Sequence, residues 1–177
     1  MSKAVMLSIR SKWCEKIASG EKSVEVRKTR PRLDTPFKCY IYCTMDHPYI
    51  SISCGELDKL NHRTNTVGRC NGKVIGEFTC DRIYELAPLN HAPDDVEKQA
   101  CLTREKIVNY LNGTGYGWHI SDLRIYDAPR DLSEFERPYE CNECDAKWAT
   151  ECNACHEEGK IKRAPQSWCY VEAMEDV

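Results

Sequence analysis

Four of the twelve cysteines fall into two tight hooks, Cys141-x-x-Cys144 and Cys152-x-x-Cys155. Paired hooks of this kind can each present two thiolates to one side of a tetrahedral Zn²⁺, with His156 as an alternative to Cys155. The seven residues between them, Asp145 to Glu151, are fewer than a zinc ribbon uses, so a compact structural zinc clip is expected. Four cysteine ligands leave no open coordination position, which argues against a catalytic metal. The remaining eight (Cys14, Cys39, Cys43, Cys54, Cys70, Cys80, Cys101, Cys169) are isolated in apolar or alternating runs and are expected as small buried hydrophobes.

A second constellation is Gly20-Glu-Lys22-Ser-Val-Glu25-Val-Arg27. Here a helix ending on glycine delivers Lys22, Glu25 and Arg27 to the mouth of a strand. Lys22 and Arg27 can hold a phosphate or carbonyl oxygen, and Glu25 can accept from an exocyclic amine. Trp118 and Trp168 can stack on a base, with His119 beside them. The plainer alternatives are an exposed i, i+2 ion pair for Glu25 and Arg27, core packing for the tryptophans and an ordinary strand histidine for His119. Gly113-Thr-Gly-Tyr-Gly117 has no following Lys-Ser/Thr and is neither a P-loop nor a dinucleotide fingerprint.

These residues need a scaffold. The chain has 177 residues, 41% apolar and 30% charged, enough for one domain with a real core. The net charge of −3 excludes a polycation or a strongly acidic disordered chain. The charge is uneven, however. Residues 1–40 carry ten Lys/Arg against four Asp/Glu, and the rest carries 15 against 24. The basic end suits a phosphate-bearing ligand, with a solvated face as the alternative. No apolar run is long enough for a membrane span or signal core, so a cytoplasmic protein with no membrane partner is expected.

Strands are expected at 4–10, 23–27, 38–44, 73–84, 116–126 and 166–172. Ser11 and Thr103 are the expected caps of two short helices that stop at Gly20 and Gly113. In the first helix, Trp13 and Ile17 are one turn apart and form the expected core face. In 23–27 the alternation sends Val24 and Val26 one way and Glu25 and Arg27 the other. Gly76 signals a bulge, and residues 45–72 read as a long excursion in which His47, Tyr49 and Arg63 can close over a cleft. The pattern is α+β around a small barrel without a parallel sheet, and the cysteine hooks interrupt it as an insertion at 137–160.

The G-x-K-x-x-E-x-R run, following a Ser-Ile-Arg strand and a Trp-containing helix, resembles the ASCH (activating signal cointegrator homology) domain, a PUA-like small β-barrel. The resemblance extends to Lys73-Val-Ile-Gly-Glu-Phe, Trp118-His-Ile-Ser-Asp-Leu and Pro165-Gln-Ser-Trp-Cys-Tyr-Val-Glu, and so spans nearly the whole chain as a single domain. It is similar to the branch common in phages and prophages, where a Cys-rich insertion often precedes the last strand. The resemblance implies a cleft between helix and barrel, lined by Lys22, Glu25 and Arg27, that recognises RNA, a nucleobase or a nucleotide-like ligand. Two alternatives follow. Some relatives are amidohydrolases on acylated cytidine that use a Lys and a Thr of this motif. Lys22 matches the Lys, Glu25 stands where the Thr would be, and an enzyme here would use Lys22 and Glu25, with Glu25 or His119 moving the proton. The other alternative is a phage protein-interaction module whose zinc insertion meets a protein partner.

Overall fold

The computed structural model describes residues 3–50, 70–86, 92–138 and 159–174. The cysteine hooks, Cys54 and Arg63 lie outside the described residues. Strand β1 (Lys3–Ile9) is followed by helix α1 (Ser11–Ala18), β2 (Val24–Arg27), β3 (Phe37–Cys43), β4 (Val74–Cys80) and β5 (Ile83–Glu85). Helices α2 (Val96–Ala100) and α3 (Arg104–Leu111) come next, then β6 (Tyr116–His119), β7 (Ser121–Arg130), a 3₁₀ turn at Leu132–Glu134 and β8 (Trp168–Glu172).

The strands form two sheets, one of five strands in the order β7-β4-β3-β1-β8 and one of three in the order β2-β6-β5. The architecture is α+β, as expected, but the ladders are two open sheets and not a closed barrel. The larger sheet is also mixed. β1 and β3 run parallel, with Val5 opposite Cys39 and Ile9 opposite Cys43, because the connection through α1 and β2 returns the chain to the same end. The other pairs are antiparallel.

β1 is buried on both faces from Ala4 to Ile9, which is why its sequence is nearly all apolar. Val5, Leu7 and Ile9 enter a core with Cys14 and Ile17 of α1, Phe37, Ile41 and Trp118. Ala4 and Met6 face a second core with Tyr40, Phe135, Ile161 and Val171. Period-two alternation thus feeds two cores from one strand.

Two runs that read as single long strands are each broken. Residues 74–85 leave the larger sheet after Cys80 and join the smaller one as β5, and residues 116–130 make the reverse change between β6 and β7. At the corner His119 N–H donates to Arg82 O (2.9 Å) and Ile120 N–H to Ser23 O (2.8 Å). Gly76 does sit at a register shift between β4 and β7, where a Cβ would come within 2.4 Å of Arg124 O.

The helices carry the remaining differences. Ser11 is not the cap of α1. Arg10 holds that position, Ser11 is buried inside the helix, and its N–H donates to Asp46 Oδ1 at 3.2 Å. Gly20 ends this segment at φ +77°, in the left-handed region glycine adopts freely. Thr103 caps α3, with Oγ1 accepting from Lys106 N–H. Helix α2 has five residues, too few to leave a periodic signal. With α3 it packs on β2 through Val26, Leu86, Val96, Ala100, Ile107 and Leu111. Of the isolated cysteines, Cys14, Cys39, Cys43, Cys70 and Cys80 are buried, and Cys101 and Cys169 are half-buried. Burial pushes the Cys14 and Cys39 thiols well above their ordinary range, so both behave as small apolar groups.

Candidate ligand cleft

β2 is buried along its whole length, which sets aside the plainer alternative of an exposed Glu25–Arg27 pair. Val24 and Val26 serve the cores, while Glu25 and Arg27 point the other way to the floor of a cleft of about 840 Å³. Lys22, Glu25 and Arg27 keep only 2%, 7% and 6% of their surface exposed. They form one chain of charge, in which Lys22 Nζ lies 3.4 Å from Glu25 Oε2 and Arg27 Nη2 lies 3.1 Å from Glu25 Oε1.

Both cations are also tied to the backbone. Lys22 Nζ donates to Val24 O (2.7 Å) and to Ala100 O (2.8 Å), the last residue of α2. Arg27 Nη2 donates to Ser8 O (2.7 Å) on β1, and Nη1 to Ser167 Oγ (3.2 Å) and O (3.3 Å), just before β8. Three oxygens surround one amine nitrogen at Lys22, and an ammonium has three N–H bonds to give them. That geometry makes Lys22 a clamp between β2 and α2 and leaves no open direction from which it can take a proton from water. Glu25 is held between the two cations at the bottom of the cleft.

The walls come from three other segments. Helix α1 and the residue before it supply Arg10, Lys12 and Trp13. Trp13 is therefore not a core residue like Ile17; it is half-buried, with Lys12 Nζ 4.6 Å and Lys22 Nζ 5.3 Å from its ring centroid. Leu102, Lys106 and Tyr110 of the α3 region form a second wall, and Lys28 Nζ lies 5.5 Å from the Tyr110 ring. Thr44, Asp46 and His47 form a third. Asn71 organises that wall, its Oδ1 accepting from Ile50 N–H (2.9 Å) and its Nδ2 donating to Asp46 O (2.7 Å). His47 stacks obliquely on exposed Tyr49 at 4.2 Å. Burial alone would raise the Asp46 carboxyl, but hydrogen bonds from Thr44 Oγ1 and Ser11 N–H outweigh it and hold the group below its ordinary value.

The lining thus contains five Lys/Arg (Arg10, Lys12, Lys22, Arg27, Lys106) and two carboxylates, Glu25 and Asp46. The other expected site residues lie elsewhere. Trp118 pairs with Glu25 across β2 and β6 but is fully buried, meeting Phe37 edge-on at 5.8 Å. His119 is outside the cleft lining, with Nδ1 2.6 Å from Asp81 Oδ1. Trp168 lines a neighbouring groove, its Nε1 donating to Thr29 Oγ1 at 2.9 Å. The stacking groups in the cleft are Trp13 and Tyr110. Sequence reasoning placed the first in the core and passed over the second, although basic neighbours in sequence accompany Trp13 at Lys12 and Tyr110 at Lys106.

No family model matches the sequence, and no curated protein matches it. Solved structures do. Two crystal structures of single-residue variants of an ASCH protein from Zymomonas mobilis superpose on this chain with a TM-score of 0.56 at 16% identity. One alignment covers 97% of this chain and 91% of the other, and the second covers 96% and 88%. This chain has the ASCH fold. The described residues on either side of the cysteine hooks are held together, with Arg137 N–H donating to Gly159 O (2.9 Å), Ile161 N–H to Phe135 O (2.9 Å), and a bridge between Glu136 and Lys160.

Proposed function

We propose that the cleft binds a phosphate-bearing nucleobase ligand, either a nucleotide or one unit of single-stranded RNA. The observation that carries this reading is the pairing of aromatic rings with cations on two walls, Trp13 with Lys12 and Tyr110 with Lys28, with Lys106 lining the same cleft. A base offers a π-face to such rings, and its phosphate draws the ammonium groups beside them. The floor adds Glu25 as an acceptor for an exocyclic amine, held in position by Lys22 and Arg27. The shared ASCH fold is consistent with nucleic-acid recognition, and the surplus of cations in the lining is what such recognition requires. The hydrolytic alternative is not favoured at Lys22, because the amine that would activate water there is fully engaged.

The test is fluorescence anisotropy with labelled single-stranded RNA across a range of salt concentrations. Arg10, Lys12 and Lys106 are exposed, so their joint replacement by alanine leaves the core untouched. With a slope of roughly 0.7 per phosphate contact on single strands, the triple variant is expected to flatten log K against log salt by about 2. An unchanged slope, or no RNA bound by the wild type at low salt, would sink the assignment.

We also propose that Cys141, Cys144, Cys152 and Cys155 hold one structural Zn²⁺ that closes the insertion. Support comes from the hook spacing and from the pairing of 135–137 with 159–161, which brings the two flanks of the hooks together. Metal analysis of protein purified with zinc present is expected to give one Zn²⁺ per chain. Chelation is expected to leave the far-ultraviolet signal of the sheets intact, because the core strands lie outside the insertion. Metal-free protein from zinc-replete preparation would refute the site.

A further inference from the structure

Beside the cleft lies a second depression of about 560 Å³, whose lining includes Lys3, Arg137, Pro165, Gln166, Trp168 and Tyr170. Gln166 lines both, so the two depressions share a rim. That rim, residues 165–167, is fastened to the charged floor. Ser8 Oγ donates to Pro165 O (2.6 Å), Ser8 N–H donates to Ser167 O (3.0 Å), and Arg27 Nη1 donates to Ser167 Oγ. A ligand leaving the cleft over Gln166 therefore crosses a ridge held by the same arginine that holds Glu25.

The groove has the same chemistry as the cleft. Trp168 and Tyr170 are two residues apart on β8, share one face of the strand, and meet edge to face at 5.4 Å. Both are half-buried and held by the basic segment 28–32, Trp168 through Thr29 Oγ1 and Tyr170 by accepting at its hydroxyl from Arg32 N–H (2.8 Å). Lys3 and Arg137 are exposed cations, and no carboxylate lines the groove among the described residues.

We infer that this groove is a second nucleotide subsite, so that the physiological ligand is a single strand of at least two nucleotides crossing Gln166 and not a free mononucleotide. The inference rests on the cleft reading and deepens it. A stacked base adds on the order of 1–3 kcal/mol, so a strand filling both depressions is expected to bind about 5- to 150-fold more tightly than a single unit.

The test compares a mixed-sequence RNA hexamer with a 5′-mononucleotide as competitors for the same labelled RNA, in wild type and in the double variant Lys3→Glu, Arg137→Glu. Both replaced side chains are exposed, and a thermal melt checks that the variant folds, since Lys3 lies opposite Glu172 in the β1–β8 ladder. The expected result is a hexamer advantage of at least about fivefold in wild type that disappears in the variant, with mononucleotide affinity unchanged. Equal affinity of hexamer and mononucleotide for wild type would overturn the second subsite and leave the cleft reading standing. A hexamer advantage that survives the double variant would overturn it too, by placing the extra contacts elsewhere. Binding of neither probe would remove the cleft reading and this inference together.

Discussion

Replacing Lys22 with methionine is expected to destabilise the folded protein by about 3–5 kcal/mol, because one partner of a buried ionic network is removed and the others stay behind. The substitution takes the donor from two backbone carbonyls, Val24 O and Ala100 O, in a site where Lys22 keeps 2% of its surface, and leaves Glu25 with Arg27 as its only cation among the described residues. It also unfastens the end of α2 from β2, and with it the wall that carries Lys106 and Tyr110. Loss of ligand binding in this variant would therefore follow from loss of the wall as much as from loss of a contact. Urea denaturation measures the effect directly. Adding Glu25→Gln to Lys22→Met is expected to deepen the loss, since buried Arg27 then loses its carboxylate partner. A change below about 1 kcal/mol for Lys22→Met would show that the ammonium is not a clamp.

Replacing Trp13 with leucine is expected to weaken RNA binding by about 5- to 150-fold, the range that corresponds to roughly 1–3 kcal/mol of stacking on one base. Trp13 is half-buried on the cleft wall, and leucine can keep its contact with the edge of the core. The informative comparison is Trp118→Leu. Trp118 is fully enclosed among Phe37, Trp168 and the core of the larger sheet, so that change is expected to lower the unfolding midpoint and to act on affinity only through stability. Anisotropy titration and thermal melts on both variants separate the two roles. Similar affinities for Trp13→Leu and wild type would remove the aromatic wall from the site.

Much of the local structure was legible because it rests on short-range physics. The alternation Val24-Glu25-Val26-Arg27 places two side chains on each face, whatever the strand packs against. Thr103 announces the start of α3 because its hydroxyl reaches a backbone N–H three residues on, and Gly20 and Gly76 mark places where a Cβ is unwelcome. The long runs at 73–84 and 116–126 were legible as strands but not as strands that change sheets. The break at Asp81-Arg82 depends on which partner, β7 or β6, competes for each half.

The site itself divides along the same line. Lys22, Glu25 and Arg27 are grouped by the sequence, since a helix stop and a strand of known period bring them together whatever the rest of the chain does. Their burial, and hence the buried clamp in place of an exposed pair, came only from contacts with Ser8, Ala100 and Ser167, which are 19, 78 and 140 positions from their partners. Trp13 and Trp118 are alike as sequence signals, each an aromatic in an apolar setting, and tertiary packing alone put one on the cleft wall and the other in the core. By itself the sequence determined the charged motif, the strand periods and the spacing of the cysteine hooks, all of which are encoded within a few residues. The tertiary structure decided which aromatics line the cleft, that Lys22 is a tether, and that a second groove adjoins the first at Gln166. Those depend on segments far apart in the chain, and no local pattern specifies how they meet.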